Sequence, residues 1–186
     1  PGTTLTNRVL PLATVALLAS AVPSLLHNAL YSRDHAAAWR LRTAPLPSPA
    51  ALAEGLRMAM LGLVGLPSVL ALTAVACLRW QDPLHAVSWG IGTWLILDLI
   101  ARLMLPTVVR DVPFSRPASR GVALGPVPIP IAAAGSLATG IATLGSLAAG
   151  RPALLAALLL ALLLARPLVT ARTRERLDQR LSGARS

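Results

Sequence analysis

The chain has 186 residues, of which 55% are hydrophobic and 13% are charged, and its formal net charge is +10. This balance is typical of a polytopic membrane protein and excludes an ordinary water-soluble domain, whose apolar runs would be interrupted by charge every few turns. The positive charge does not indicate a nucleic-acid site, because the basic residues have no interleaved aromatic platform and no soluble fold to carry them. A single cysteine, Cys77, excludes an internal disulfide and a cysteine-based metal site.

Five apolar runs follow one another along the chain, and each is long enough to cross a bilayer as a helix. The second run is uncharged, and Gly62, Gly65 and Pro67 predict a bend within it. The fifth run carries Arg166 near one end, and we expect this long side chain to reach the membrane interface. The predicted spans are residues 9–26, 58–78, 84–105, 130–149 and 153–171.

The distribution of arginine predicts the orientation, because positively charged loops are retained on the cytoplasmic side. All seventeen basic residues are arginines. If the polar segments between five spans alternate between the two sides of the membrane, thirteen arginines lie on the side that holds the loops 28–57 and 106–120 and the C-terminal tail. Only three lie on the opposite side. We therefore predict an all-α membrane protein with its N-terminus outside and its C-terminus in the cytoplasm. Residues 1–171 would form the transmembrane domain, and residues 172–186 would form a basic cytoplasmic tail.

Asp98 and Arg102 lie four residues apart in the third predicted span, so both project from one helical face and can form an intramembrane ion pair. An acidic side chain within a membrane costs several kcal/mol of free energy, and its presence therefore suggests a function by default. The alternative is that the pair neutralises itself near the cytoplasmic interface and only fixes helix packing. We favour this structural interpretation, because the partner at four residues already explains how the acid is tolerated.

The fourth span is rich in small residues, with Ala132, Ser136 and Gly140 at four-residue spacing. Small side chains allow helix backbones to approach closely. The pattern therefore predicts close packing inside the protein, and it leaves open a dimer seam or a helix that lines a pathway.

The sequence contains no motif for catalysis, metal binding or nucleotide binding. His27, His35 and His85 have no spacing that would place two of them on one face, so a metal site is not expected. Neither a serine-nucleophile motif nor a phosphate-binding glycine loop occurs. We therefore expect no enzymatic activity, no cofactor and no ATP hydrolysis by this chain alone.

The most informative polar stretch, residues 31–57, joins the first two spans. Residues 32–43 can form a short helix with Ser32 as its N-cap, and three closely spaced prolines would then end it. A second short helix, starting after Pro49, would lead straight into the second span. The side chains available to contact lipid headgroups or a partner are Arg33, Trp39, Arg40 and Arg42.

Two polar segments carry further distinctive residues. The first has Ser-Arg-Asp at 32–34 and Trp-Arg-Leu-Arg-Thr-Ala-Pro-Leu-Pro at 39–47, before the helix that opens the next span. The second is Val-Pro-Phe-Ser-Arg-Pro at 112–117. Together with the order of the spans, these segments resemble the permeases of ABC-2-type exporters, in which a charged helix leads through a Leu-x-x-Ala-Pro turn to a helix that re-enters the membrane. The chain has Gly-Leu-Arg at 55–57 where that family usually has Gly-Lys.

This resemblance implies a membrane-spanning permease subunit of an ATP-driven exporter in a bacterial inner membrane. The helix that carries Arg33, Trp39, Arg40 and Arg42 would be the coupling helix that touches a separate ATP-binding subunit. The other implied partners are membrane lipid and a second permease half, or a second copy of the chain in a homodimer. We also expect the chain to be the C-terminal part of a longer permease.

Two other classes of function stay open. A non-transporting scaffold or anchor protein could dock a partner through the same basic loops. An intramembrane enzyme that uses Asp98 would need a second acid or a histidine at the same depth on a neighbouring span, and the sequence offers no good candidate.

Overall fold

A computed structural model describes residues 3–29, 31–32, 49–79, 82–108, 116–117, 128–148 and 152–183. The described chain is helical apart from two short strands and the residues Ala29 and Asp82. The helices are α1 (Thr3–Asn28), α2 (Pro49–Met60), α3 (Leu66–Arg79), α4 (Pro83–Val108), α5 (Pro128–Ala148) and α6 (Pro152–Gly183), and a π-helical turn (Leu61–Gly65) joins α2 to α3. The strands are β1 (Tyr31–Ser32) and β2 (Arg116–Pro117).

Four helical stretches are long and apolar enough to cross a membrane, and α5 contains a shorter apolar stretch, Ile129–Leu144. The four stretches are Pro11–Asn28, Ala51–Arg79, Pro83–Val108 and Ala156–Leu177. Many large apolar side chains on these helices point outward, as expected for surfaces that face lipid, for example Leu63, Leu78 and Leu84. The predicted all-α class of membrane protein is confirmed.

Two helical stretches extend furthest beyond the predicted spans. The second candidate span is one continuous stretch of 29 residues, because α2 runs through the π-helical turn into α3. Helix α6 has 32 residues and is about 48 Å long at 1.5 Å per residue, whereas the hydrocarbon core is about 30 Å thick. No proline or glycine interrupts residues 171–182, so the predicted tail begins as a continuation of the last transmembrane helix rather than as a separate segment. The predicted loop helix at 32–43 lies outside the described residues, except for Ser32 in β1.

The bend that was predicted in the second span coincides with the π-helical turn. There the backbone N–H of Leu66 donates to the carbonyl of Leu61, a spacing of five residues instead of four. Pro67 follows at once and brings no N–H of its own to the helix. The wider turn lets the helix continue past this proline.

Helix α4 is the centre of the bundle and packs against α1, α3, α5 and α6. All of its residues from 95 to 102 are buried, so no face of this segment is left for lipid. A helix that is buried all round belongs to the core of a protein. The predicted ion-pair residues Asp98 and Arg102 both lie in this buried segment.

Small residues hold α1 against α5. Ala19 in α1 and both Ala134 and Ala138 in α5 are fully buried, and a Cβ atom added at Gly135 would lie 2.6 Å from Oγ of Ser20. Close packing of α5 was predicted, but the face that packs is not the stripe chosen from the sequence. That stripe, Ala132, Ser136 and Gly140, is exposed.

The strands bring together the two segments that follow α1 and α4. Tyr31 pairs with Arg116, and Ser32 pairs with Pro117, in parallel register. The chain segments after α1 and after α4 therefore lie at the same end of the bundle.

Replacing Gly90 by alanine is expected to lower the free energy of unfolding by about 1–2 kcal/mol, because the added methyl group overpacks the contact between α3 and α4. A Cβ atom at Gly90 would collide with Oγ1 of Thr73 and lie 3.1 Å from its Cγ2 and 3.2 Å from its Cβ. Nothing lies within 4 Å of a Cβ atom added at Gly140, so Gly140→Ala is the matched control. Chemical unfolding in detergent micelles measures both variants, and equal stability of the two would contradict the packing described here.

Candidate functional site

Asp98 is the centre of a charged cluster between three helices. It is 2% exposed, and both of its carboxylate oxygens accept hydrogen bonds from arginine. Arg57 in α2 donates from Nη1 to Oδ1, whereas Arg102 in α4 and Arg166 in α6 donate from Nε to Oδ2 at 3.2 Å and 2.7 Å. One buried carboxylate thus joins α2, α4 and α6.

Glu54 is the second acid of the cluster. Arg57 donates two hydrogen bonds to it, from Nε to Oε2 at 2.9 Å and from Nη2 to Oε1 at 2.6 Å. Arg102 also approaches Oε1 with Nη1, at 3.5 Å. The guanidinium of Arg57 is 1% exposed, and its three nitrogens all contact a carboxylate. This fork-like geometry is the one in which arginine binds carboxylates most strongly.

Threonine hydroxyls on α6 complete the cluster. Nη1 of Arg102 donates to Oγ1 of Thr170 at 2.6 Å, and the Thr170 hydroxyl donates to the backbone carbonyl of Arg166 at 2.7 Å. One turn further on, the Thr173 hydroxyl donates to the backbone carbonyl of Arg102 at 3.2 Å. Helix α6 is therefore fixed to α4 by polar contacts over two turns.

Helical spacing explains why these residues meet. Glu54 and Arg57 are three residues apart, Asp98 and Arg102 are four apart, and Thr170 lies four residues after Arg166, so each pair shares a helix face. The contacts also fix the relative direction of the helices. The beginning of α2 lies beside the second half of α4 and of α6, as expected for neighbouring spans that alternate in direction.

The cluster contains three guanidinium groups and two carboxylates, so its formal charge is +1. Each charge would cost several kcal/mol to bury alone, and an ion pair offsets this cost only when its geometry is good. Removing one partner of a buried pair typically costs about 3–5 kcal/mol. The cluster consequently sets the relative position of α2, α4 and α6.

A pocket of about 100 Å³ adjoins the cluster. It lies where the first turns of α2 meet the last part of α6. The residues that line it are Glu54, Arg102, Thr170, Thr173, Arg174 and Leu177. Within the described part of the chain, no three histidine, cysteine or carboxylate side chains come close enough together to hold a metal ion.

The structure brings Asp98 and Arg102 together, but as part of a larger cluster than the isolated pair that the sequence suggested. We expected Arg166 to reach the interface, whereas its Nε donates to Asp98. The sequence offered no second acid near Asp98, yet Glu54 is one and is joined to it through Arg57. The proposed coupling residues lie outside the described residues: Arg33, Trp39, Arg40 and Arg42.

The cluster residues that were not predicted can be recognised from their local sequence. Glu54 and Arg57 are spaced for one face of a helix and immediately precede an uncharged span. Arg166 is the only charge in its apolar run. A basic residue in a span, together with an acid in another, is a reason to look for a pair between helices.

Comparison with known proteins gives no match: no family model, no curated protein and no solved structure is similar to this chain.

Proposed function

We propose that this chain is the membrane-spanning permease subunit of an ATP-driven exporter, and that a separate ATP-binding subunit acts on it through the segment 31–57. One observation carries the proposal. Arg57, the last residue of that segment, is buried and bound to Asp98 of α4, and Asp98 is bound in turn to Arg166 of α6. A displacement of the segment would therefore act directly on two further transmembrane helices.

The shape of α2 and α3 supports such transmission. The end of α2 that carries Glu54 and Arg57 is tied to α4 and α6, whereas a π-helical turn begins four residues after Arg57. Turns of this kind are frequent at functional sites and at hinges. We propose that α2 moves with the cytoplasmic segment and that the turn lets α3 keep its contacts with α4.

The proposed orientation puts the charged cluster near the cytoplasmic side of a bacterial inner membrane, which is the side where it also places thirteen of the seventeen arginines. The pathway for the substrate would be completed by a second permease half or by a second copy of the chain. Close approach of such a partner is possible along the exposed small residues of α5, Ala132, Ser136 and Gly140.

A crosslinking experiment in membranes of the native host tests the proposal. Cys77→Ala removes the only cysteine, after which Arg40→Cys places a single thiol in the proposed coupling helix. Treatment with a bifunctional maleimide is expected to join this cysteine to a protein that is also labelled by a photoreactive ATP analogue. A protein with both properties is the predicted ATP-binding subunit.

The matched control is Arg151→Cys, which is predicted to lie on the opposite side of the membrane and is expected to capture no ATP-labelled protein. Capture from Arg40→Cys of a partner that does not bind ATP would favour a scaffold or anchor protein. Absence of any capture from correctly inserted protein would also favour this alternative. Equal capture of the ATP-labelled protein from both positions would contradict the proposed topology.

A further inference from the structure

The pocket beside the charged cluster lies at the ends of two candidate membrane spans. On α6 the lining runs from Thr170 to Leu177, and Leu177 is the last residue of the candidate span Ala156–Leu177. On α2 the lining includes Glu54, which lies one turn after the start of another candidate span, Ala51–Arg79. Seven residues of helix correspond to about 10 Å, so the pocket occupies the last part of the helix before it leaves the membrane. The phosphates of lipids lie at this level, and so would a phosphorylated solute that approached from water.

The charge around the pocket favours an anion. The adjoining cluster has a formal charge of +1, and Arg174 adds a further positive charge to the lining. Glu54 is the only acid among the lining residues, and Arg57 holds both of its oxygens. An excess of buried positive charge is stabilised by a negative partner.

The donors at the pocket suit a phosphate group. Arg102 uses Nε for Asp98 and Nη1 for Thr170 and Glu54, whereas within the described part of the chain its Nη2 makes no hydrogen bond. Guanidinium groups bind phosphate oxygens with paired, charge-assisted hydrogen bonds. The pocket volume of about 100 Å³ has room for several groups of the size of a water molecule, and therefore for a phosphate group.

We propose that this pocket binds a phosphate group through Arg102 and Arg174, carried either by an anionic lipid headgroup or by a free solute. The bound phosphate would compensate the net positive charge of the cluster and would join α4 to the end of α6. This site does not depend on the exporter proposal, since a scaffold protein with the same cluster would bind phosphate in the same way.

The test measures thermal unfolding of the full chain, purified in an uncharged maltoside detergent. Inorganic phosphate is titrated at constant ionic strength in one series, and short-chain phosphatidylglycerol is titrated in the other, with short-chain phosphatidylcholine as the zwitterionic reference. A saturable rise in Tm is expected with at least one of the two anionic probes. Response to inorganic phosphate identifies a site open to free solutes, and response to phosphatidylglycerol alone identifies a lipid site.

The decisive variant is Arg174→Gln, because Arg174 is exposed, lines the pocket and lies outside the charged cluster, so that folding is retained. The probe concentration at half-saturation is expected to rise about tenfold, as for the loss of one hydrogen bond from a charged donor. Arg172→Gln is the matched control, since Arg172 is exposed on the same helix but does not line the pocket. It should change the half-saturation by no more than roughly twofold.

Three results would overturn the proposal. The first is the absence of a saturable shift with both anionic probes. The second is an equal loss of affinity in Arg174→Gln and Arg172→Gln, which would indicate attraction by the surface charge of α6 rather than a site. The third is a shift with phosphatidylcholine as large as that with phosphatidylglycerol.

Discussion

Asp98→Asn is expected to lower the free energy of unfolding by about 3–5 kcal/mol, the usual cost of removing one partner from a buried ion pair. Three guanidinium groups converge on this carboxylate, from Arg57, Arg102 and Arg166. An asparagine would keep the shape of the side chain but remove its negative charge. Its NH₂ group is a hydrogen-bond donor and would face guanidinium donors where a carboxylate oxygen now accepts. The formal charge of the cluster would rise from +1 to +2. Unfolding of purified protein in detergent, followed by circular dichroism, measures the loss.

Two further variants separate the cluster from a general effect of charge. Glu175→Gln removes an exposed acid on α6 and should change stability by less than about 0.5 kcal/mol. Asp98→Asn combined with Arg166→Gln returns the formal charge to +1 and should recover part of the stability lost in the single variant. If Asp98→Asn were as stable as Glu175→Gln, Asp98 would not have the buried contacts described here.

The membrane helices could be predicted because hydropathy acts locally. A run of about twenty apolar residues has few alternatives to a transmembrane helix, whatever its neighbours are. The prediction was least accurate at the helix ends, for example where α6 continues through residues 172–183. Most of those residues are polar or charged, and arginine, glutamate, glutamine and leucine among them are good helix formers, so the helix continues past the apolar run. Hydropathy marks the end of the apolar run and not the end of the helix.

The charged cluster could be predicted only where both partners lie on one helix. Asp98 and Arg102 are four residues apart, so the sequence alone places them on one face. Arg57 and Arg166 lie 41 and 68 residues from Asp98, and their contacts depend on how the helices are arranged. A single sequence contains no periodic signal for such an arrangement. This is why the aspartate was interpreted as half of an isolated pair.

The face of α5 that packs against α1 was not predicted correctly, for a related reason. Small residues occur on several faces of this helix, and four-residue spacing is satisfied by the exposed stripe Ala132, Ser136 and Gly140 as well as by the buried Ala134 and Ala138. Close approach needs small residues on both helices. The choice between the faces is made by α1, which presents Ala19 and Ser20.

Arg57→Lys keeps the charge of the cluster and is still expected to cost about 2–3 kcal/mol, because the loss concerns hydrogen bonds from a charged donor. The guanidinium of Arg57 reaches two acids at once, with Nε and Nη2 on Glu54 and Nη1 on Asp98. A lysine offers one compact ammonium group and cannot reproduce this planar fork. The ammonium group would contact either Asp98 or Glu54, so that the other carboxylate would lose its hydrogen bonds to residue 57.

The control for this variant is Arg79→Lys, since Arg79 is exposed at the end of α3 and the same exchange there should leave stability within about 0.5 kcal/mol of the original protein. Comparison of Arg57→Lys with Arg57→Gln then separates geometry from charge. If the fork is what matters, the lysine variant should lose at least half of the stability that the glutamine variant loses, although it retains the positive charge. Full stability of Arg57→Lys would mean that a point charge is sufficient at this position, and that Arg57 does not connect α2 to α4 in the way proposed for transmission from the segment 31–57.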